Sequence, residues 1–325
     1  MMYLRNLSCL TMLTIVSAWF LVGCGTDKPT LQVASSTFQV AEGTSTATVI
    51  EPIANTFIDP VRFRDTDRLV AWKYAGYPIA GVVNHHTAAM DLQAKFFKTL
   101  KSIRPDIKTF VILSPDHFRR GPGIATGQLP YATPAGLVTL NFKLVTDLSV
   151  KSGPFKEEHG VGALAPFIAR EFPGAKIVPL FLRGDAPCEQ LIALGDELAR
   201  ISSTSTFVIV SSDMSHGLTD AEARKHDKET LSWLASSNWK ELENATDANT
   251  DSGPAFIVLH ELFSKRKTPL PPFNKGVTED PLVKGKAELS SRGNKRGFKP
   301  LSHALSTDYG GDAKNATSYI VGFWK

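Results

Sequence analysis

Cysteine is scarce in this chain, with three in 325 residues. Cys9 lies inside an N-terminal apolar run, Cys24 directly follows it, and only Cys188 belongs to the remainder. A domain with one thiol holds no internal disulfide, so its stability must come from a packed core. The apolar run itself, Leu10 to Val22, has thirteen residues, short of the roughly 18–20 that a membrane-spanning helix needs. Strong charge of either sign is also missing. A formal net charge of +4 leaves no electrostatic footprint for nucleic acid. The usual catalytic signatures are absent too: no Gly-x-Ser-x-Gly elbow, no His-Glu-x-x-His, no Walker loop and no Gly-x-Gly-x-x-Gly. Serine hydrolase, zincin and nucleotide-binding readings therefore lose their support. No internal repeat is visible.

What remains is an ordinary globular composition, 42% hydrophobic and 21% charged, enough for a large core. Within it, histidine is placed unevenly. Five of the eight histidines fall in four short motifs, most of them at the end of an apolar run. These are Val82-Val83-Asn84-His85-His86, Leu113-Ser114-Pro115-Asp116-His117, Glu157-Glu158-His159 and Ser211-Ser212-Asp213-Met214-Ser215-His216. In an open α/β sheet, ligands bind beyond the carboxyl ends of the strands. Imidazoles delivered there from several strands converge on one metal or acid/base centre. A single such histidine is more often structural; recurrence at successive strand ends argues for a site.

The N-terminus reads as an export signal. The apolar run fits the core of a signal peptide, and Leu21-Val22-Gly23-Cys24 resembles the bacterial lipobox, whose cysteine is lipidated. The expected organisation is a lipoprotein signal peptide over 1–23, an extended Ser/Thr-rich tether over 24–57 with a short edge strand at Phe38 to Val40, and one domain over 58–325. That implies a lipid-anchored, extracytoplasmic protein of the bacterial cell envelope, periplasmic or cell-surface, whose membrane contact runs through Cys24.

Beyond residue 58, strands and helices alternate. Strands are expected at Pro78 to Asn84, Lys108 to Ser114, Lys176 to Leu182, Thr206 to Ser211 and Ser318 to Phe323. Helices are expected at Ala88 to Ile103, Val161 to Phe172, Glu189 to Ile201, Asp220 to Leu234 and Ala255 to Phe263. Continuous Val/Ile/Leu runs mark strands buried on both faces. The fold class is therefore α/β, a three-layer sandwich with a central, mainly parallel sheet. Thr268 to Pro300 has little periodicity and reads as a long excursion or a flap; its basic residues, Lys284 to Lys299, read as a solvated loop in preference to an anion-binding patch. Cys188 has no basic neighbour and reads as packing at a helix start.

Neighbours on an extended segment face opposite ways. Only one of His85 and His86 can enter a given site, the other binding backbone or packing on the next helix. Asp213 and His216 form an acid/base pair, or Asp213 caps the helix that follows.

The order and wording of these motifs resemble the Memo family, called AmmeMemoRadiSam system protein B in bacteria, which is akin to class III extradiol ring-cleavage dioxygenases. Asn84-His85, Leu113-Ser114-Pro115-Asp116-His117, Glu158-His159, Ser211-Ser212-Asp213-Met214-Ser215-His216 and Asn249-Thr250-Asp251-Ser252-Gly253 follow the family pattern in sequence. Tyr131-Ala132-Thr133-Pro134 and Ser318-Tyr319-Ile320-Val321-Gly322 are similar as well. The resemblance covers Pro78 to Trp324 and implies a metal on two histidines and a cysteine. Carried over, the histidines are His85 and His117, and the cysteine position is Ser252. Serine is a poor ligand beside thiolate, so Asp251 or Ser252 is expected to complete the site, Asp251 giving two histidines and a carboxylate. The implied cofactor is a divalent metal, Fe(II) first, with copper or zinc as alternatives. His159, Asp213 and His216 are expected to move protons in dioxygenase-type oxidative chemistry. Two rival readings stand beside it: a non-catalytic protein- or ligand-binding module with a degenerate metal site, and a metal-assisted hydrolase. Expected partners are a small-molecule or peptide ligand and no nucleic acid, with a functional link to radical-SAM and AMMECR1-like proteins.

Overall fold

The computed structural model describes residues 51–148, 150–152, 155–266 and 297–325. The signal peptide, Cys24, most of the tether, the strand expected at Phe38 to Val40 and the excursion from 268 to 296 lie outside the described residues. Among the described residues, no helix is long and apolar enough to cross a membrane.

In chain order the strands are β1 (Ile53–Ala54), β2 (Ala80–Val83), β3 (Thr109–Pro115), β4 (Ile124–Thr126), β5 (Tyr131–Thr133), β6 (Gly136–Val138), β7 (Lys151–Ser152), β8 (Lys176–Leu182), β9 (Thr206–Ser211), β10 (Phe298–Leu305) and β11 (Ser318–Trp324). The helices are α1 (Pro60–Asp65), α2 (Met90–Ile103), α3 (Phe142–Asp147), α4 (His159–Gly162), α5 (Ala165–Glu171), α6 (Cys188–Ile201), α7 (Asp220–Ser236), α8 (Trp239–Glu243) and α9 (Gly253–Lys265).

Eight strands form one sheet in the order β10-β11-β2-β9-β3-β8-β4-β7. Its centre is parallel: β2 pairs with β9, β9 with β3, and β3 with β8. Both flanks then turn antiparallel, at β11–β2 and β10–β11 on one side and β8–β4 on the other. The sheet is thus mixed, and the expectation of a mainly parallel sheet holds for its four central strands. Those strands carry continuous apolar runs, but so does β11, buried along its whole length and antiparallel to its neighbours, so burial on both faces does not by itself fix strand direction. The short strands β4 and β7 and the polar β10 carry no such run; β10 reads Phe-Lys-Pro-Leu-Ser-His-Ala-Leu, with a register shift between Pro300 and Ser302, and its first three residues correct the end of the stretch expected to be an excursion. Proline is tolerated there because β10 is an edge strand.

The side-chain alternation of the central strands divides the core into two layers. Phe110, Ile112, Phe207 and Ile209 pack with Phe96 and Phe97 of α2 and Phe167 of α5. Val111, Leu113, Val208 and Val210 pack on the opposite face with Leu194 and Leu198 of α6 and Leu259 and Leu262 of α9. This is an α/β sandwich with helices on both sides of the sheet.

Three local expectations need correction. The chain enters the fold before residue 58: buried Ile53 starts β1, which pairs with β5 and whose backbone N–H donates to Pro130 O at 2.7 Å. A two-residue strand is too short to show alternation. The helix expected from Val161 to Phe172 is two helices, because Pro166 cannot continue a helical ladder and instead sits in the first turn of α5. Cys188 does start α6, but its side chain is exposed rather than packed.

Helices α6 and α9 approach closely at Gly195. A Cβ there would lie 2.6 Å from Glu261 Cβ and 2.7 Å from Val258 O. Gly195→Ala should therefore lower stability by ~1–3 kcal/mol through overpacking. A reduced urea midpoint with an unchanged slope checks this; an unchanged midpoint means that the helices are not so tightly opposed.

Candidate metal centre

Three strands end at the same rim of the sheet, and each delivers a side chain to it. After β2, Asn84 uses its Nδ2 to hold the carbonyls of His86 and Ala89 at 3.1 and 3.3 Å, shaping the turn that follows. His85 is buried and points inward. After β3, the Asp116 carboxylate accepts from the backbone N–H groups of Arg120 and Gly121, closing the loop around His117. After β9, Asp213 accepts from the N–H groups of His85 and His86 at 3.1 and 3.3 Å, locking two strand ends together. The helix-capping alternative for Asp213 is thereby replaced: Thr219 and Glu222 cap α7 with a reciprocal capping box.

Asp251 arrives from the turn before α9. Its backbone N–H donates to Asp213 O at 3.2 Å, and its Oδ1 accepts from Ser212 Oγ at 3.0 Å. Its Oδ2 faces the histidines. His85 Nε2 stands 3.2 Å from this oxygen and 3.6 Å from Asp213 Oδ2. His117 Nε2 stands 3.5 Å from Asp251 Oδ2. His216 Nε2 lies 4.0 Å from both carboxylates. Rings of His85 and His117 are 4.9 Å apart between centroids, and His159 stacks on His117 at 4.2 Å. Four of the five histidines in the motifs meet in one place.

The fifth does not. His86 is exposed and its Nδ1 pairs with Tyr319 Oη of β11 at 2.7 Å. Ser252 is also turned elsewhere: its hydroxyl donates to Ser211 O at 2.9 Å at the start of α9. That hydrogen bond satisfies a buried hydroxyl and leaves Asp251, not Ser252, as the residue of this turn that faces the imidazoles.

Hydrogen bonding fixes which ring nitrogen faces the cluster. Ser211 Oγ donates its single proton to Gly160 O at 2.6 Å, so at His85 Nδ1, 3.1 Å away, it can only accept. His85 therefore carries a proton on Nδ1 and aims Nε2 at the carboxylates. Glu158 does the same for His117, accepting from Nδ1 at 2.7 Å and from the backbone N–H at 2.9 Å. Imidazoles held through Nδ1 by an outer partner are oriented for metal ligation through Nε2.

The electrostatics agree. Burial alone would depress both histidines, yet the carboxylates overcome it: Asp213 and Asp251 raise His85, and Asp251 and Glu158 push His117 up to about 10. Burial likewise opposes ionisation of Asp251, but the nearby imidazoles, His85 first, hold it well below the usual carboxylate range. His159 moves the other way, down to about 4, first through burial and then through repulsion by His85 and His117. It is neutral near pH 7.

Asp251 Oδ2 is buried and accepts no well-aligned hydrogen bond, although two imidazoles stand beside it. A bare carboxylate oxygen in that position calls for a cation. Donor atoms about 2.1 Å from a common ion lie about 3.0 Å apart when adjacent and about 4.2 Å when opposite. The separations here, from 3.2 to 4.0 Å, fall inside that range. Two triads with ligand atoms close enough to share an ion overlap at His85: His85, His117 and His159, and His85, Asp213 and Asp251. The residues fit a metal.

Relatives place this geometry in context. The family model described as Memo-like protein matches residues 79–262, a span containing every residue of the cluster. The chain belongs to the Memo-like family. A MEMO1 family protein of Archaeoglobus fulgidus is 30% identical over 147 residues, covering 43% of this chain and 56% of that protein. One of Caldivirga maquilingensis is 29% identical over 154 residues, covering 44% and 51%. The chain thus spans about half the length of the curated relatives it matches. A solved structure, uncharacterized protein JW3007 from Escherichia coli K12, aligns over 74% of this chain and 98% of that one, with 10% identity and a TM-score of 0.38.

Glu158 and Ser211, which orient the two rings of this Memo-like chain, were not assigned from sequence. The one signal for Glu158 was its position directly before His159. Glu158→Gln should weaken metal affinity about 10–100-fold by disturbing the His117 ring. Titration of the metal-free variant against a chelator of known affinity measures this, and unchanged affinity means that Glu158 does not position the ligand.

Proposed function

We propose that this chain is a mononuclear metal protein whose ion is Fe(II), held by His85, His117 and Asp251, with Asp213 and His216 beside it. The carrying observation is Asp251 Oδ2, buried and unsatisfied between two Nε2 atoms. Two histidines and one carboxylate with further positions open suit non-haem iron, whereas copper(I) favours the thiolate that Ser252 lacks. Such an ion supplies one-electron and dioxygen chemistry when bound. The chain's own groups then bind and orient. His85 and His117 are held through Nδ1, Asp213 fixes the two strand ends, and neutral His159, with about a third of its side chain exposed, accepts a proton from a ligand entering on the open side. His216, equally exposed, is the second proton-handling group. Ring-cleavage-type oxidation is the reaction class we assign, and the lipobox-like Leu21-Val22-Gly23-Cys24 supports a site at the cell envelope.

Anaerobic loading of the metal-free protein with Fe(II), Cu(I) or Zn(II), followed by desalting and elemental analysis, tests the assignment. About one equivalent of Fe(II) should be retained, and Cu(I) should be stripped by a competing thiol. Retention of no ion, or of Cu(I) alone, overturns it.

A further inference from the structure

A second place in the molecule is built for a ligand of different chemistry. At the opposite end of the sheet, where β3 and β8 begin, an open cavity of about 530 Å³ lies between the last turn of α2 and the loop after α5. That volume is within the range of small-molecule sites. Lys101, Lys108 and Lys176 line it. Among the described residues none of these ammonium groups is paired with a carboxylate. The single acid in the wall, Asp106, is already held by Arg104 through two contacts of 2.9 Å and by Tyr77 Oη at 3.0 Å. Its charge is spent.

The remaining walls are apolar or donating. Phe172 lines the cavity from beneath, almost fully buried, with Lys101 Nζ 5.1 Å from its ring centre. Asn141 commits Nδ2 to Thr109 Oγ1 at 3.0 Å and Oδ1 to the N–H of Leu144, so its amide is already engaged within the wall. Three uncompensated positive charges around a cavity with an aromatic side select an anion carrying an apolar body. Ammonium groups bind phosphate as point charges, and three can share its oxygens.

We propose that this cavity binds a soluble phosphate monoester with an aromatic or aliphatic body, at a site separate from the metal centre. The phosphate would be shared by Lys101, Lys108 and Lys176, with the apolar portion against Phe172 and Ile107.

Calorimetric titration of the full chain with phenyl phosphate and with inorganic phosphate tests the proposal, alongside co-sedimentation with phosphatidylglycerol and phosphatidylcholine vesicles. Phenyl phosphate should bind saturably, more tightly than inorganic phosphate, and more weakly as salt rises. The triple variant Lys101→Gln/Lys108→Gln/Lys176→Gln should weaken it by about tenfold or more. A matched triple on α7 and α8, Lys225→Gln/Lys228→Gln/Lys240→Gln, alters net charge equally and should leave binding unchanged. Metal content should be the same in all three proteins, which keeps this outcome independent of the metal assignment. Absence of saturable binding, equal loss in both triples, or binding only to anionic vesicles overturns it.

Discussion

His85→Ala/His117→Ala protein, loaded and desalted like the wild type, should retain almost no metal where the wild type holds about one equivalent. Each alanine removes one Nε2 beside Asp251 Oδ2, and two carboxylates alone make a weak, hydrated site for a transition ion. His85 is almost fully buried and His117 about a quarter exposed. If the double variant does not fold, His117→Ala alone carries the comparison. Elemental analysis decides: near-zero occupancy in wild type and variant removes the metal reading, and full occupancy in both moves the ion elsewhere. Ser252→Ala should leave occupancy unchanged, since its hydroxyl is bound to Ser211 O.

The largest stability loss outside the site is expected at Arg104. Its side chain is fully buried at the start of the parallel strands. Nη1 donates to Pro78 O at 2.5 Å and Nη2 to Thr204 O at 2.6 Å, so one guanidinium joins the segments leading into β2 and β9. The ring of Tyr77 lies over it at 3.9 Å. Arg104→Ala strands two carbonyls, frees Asp106 and leaves a cavity. The cost should be about 3 kcal/mol or more, because charged hydrogen bonds contribute about 1.5–3 kcal/mol each but do not add fully. Arg104→Lys should recover little, since an ammonium lacks the planar fork that reaches both carbonyls and the carboxylate. Urea unfolding reads both variants. A midpoint near the wild type for Arg104→Ala shows that water replaces the guanidinium at no cost.

The histidine motifs illustrate how a site can be read before its fold. His85, His117, His159 and His216 stand out because apolar runs precede most of them, and the ends of parallel strands share one rim. Burial of β3, β8 and β9 on both faces demands those runs, so their bounds are legible within a residue or two. Strands β4, β5 and β6 are three residues each, too few for a period to emerge. Their pairing, and hence the antiparallel flank of the sheet, depends on what lies beside them.

Residue order alone carried the α/β pattern, the recurrence of histidines at strand ends, and the resemblance that sets Ser252 at a cysteine position. Those features are local: burial writes periodicity into a strand, and a motif is a run of neighbours. Which oxygen faces the imidazoles was decided in three dimensions. Ser252 and Asp251 are adjacent in sequence, but only packing against the end of β9 gives the hydroxyl a carbonyl to bind and leaves the carboxylate oxygen bare. The orienting roles of Glu158 and Ser211 arise the same way, from groups dozens of residues apart brought within hydrogen-bonding distance.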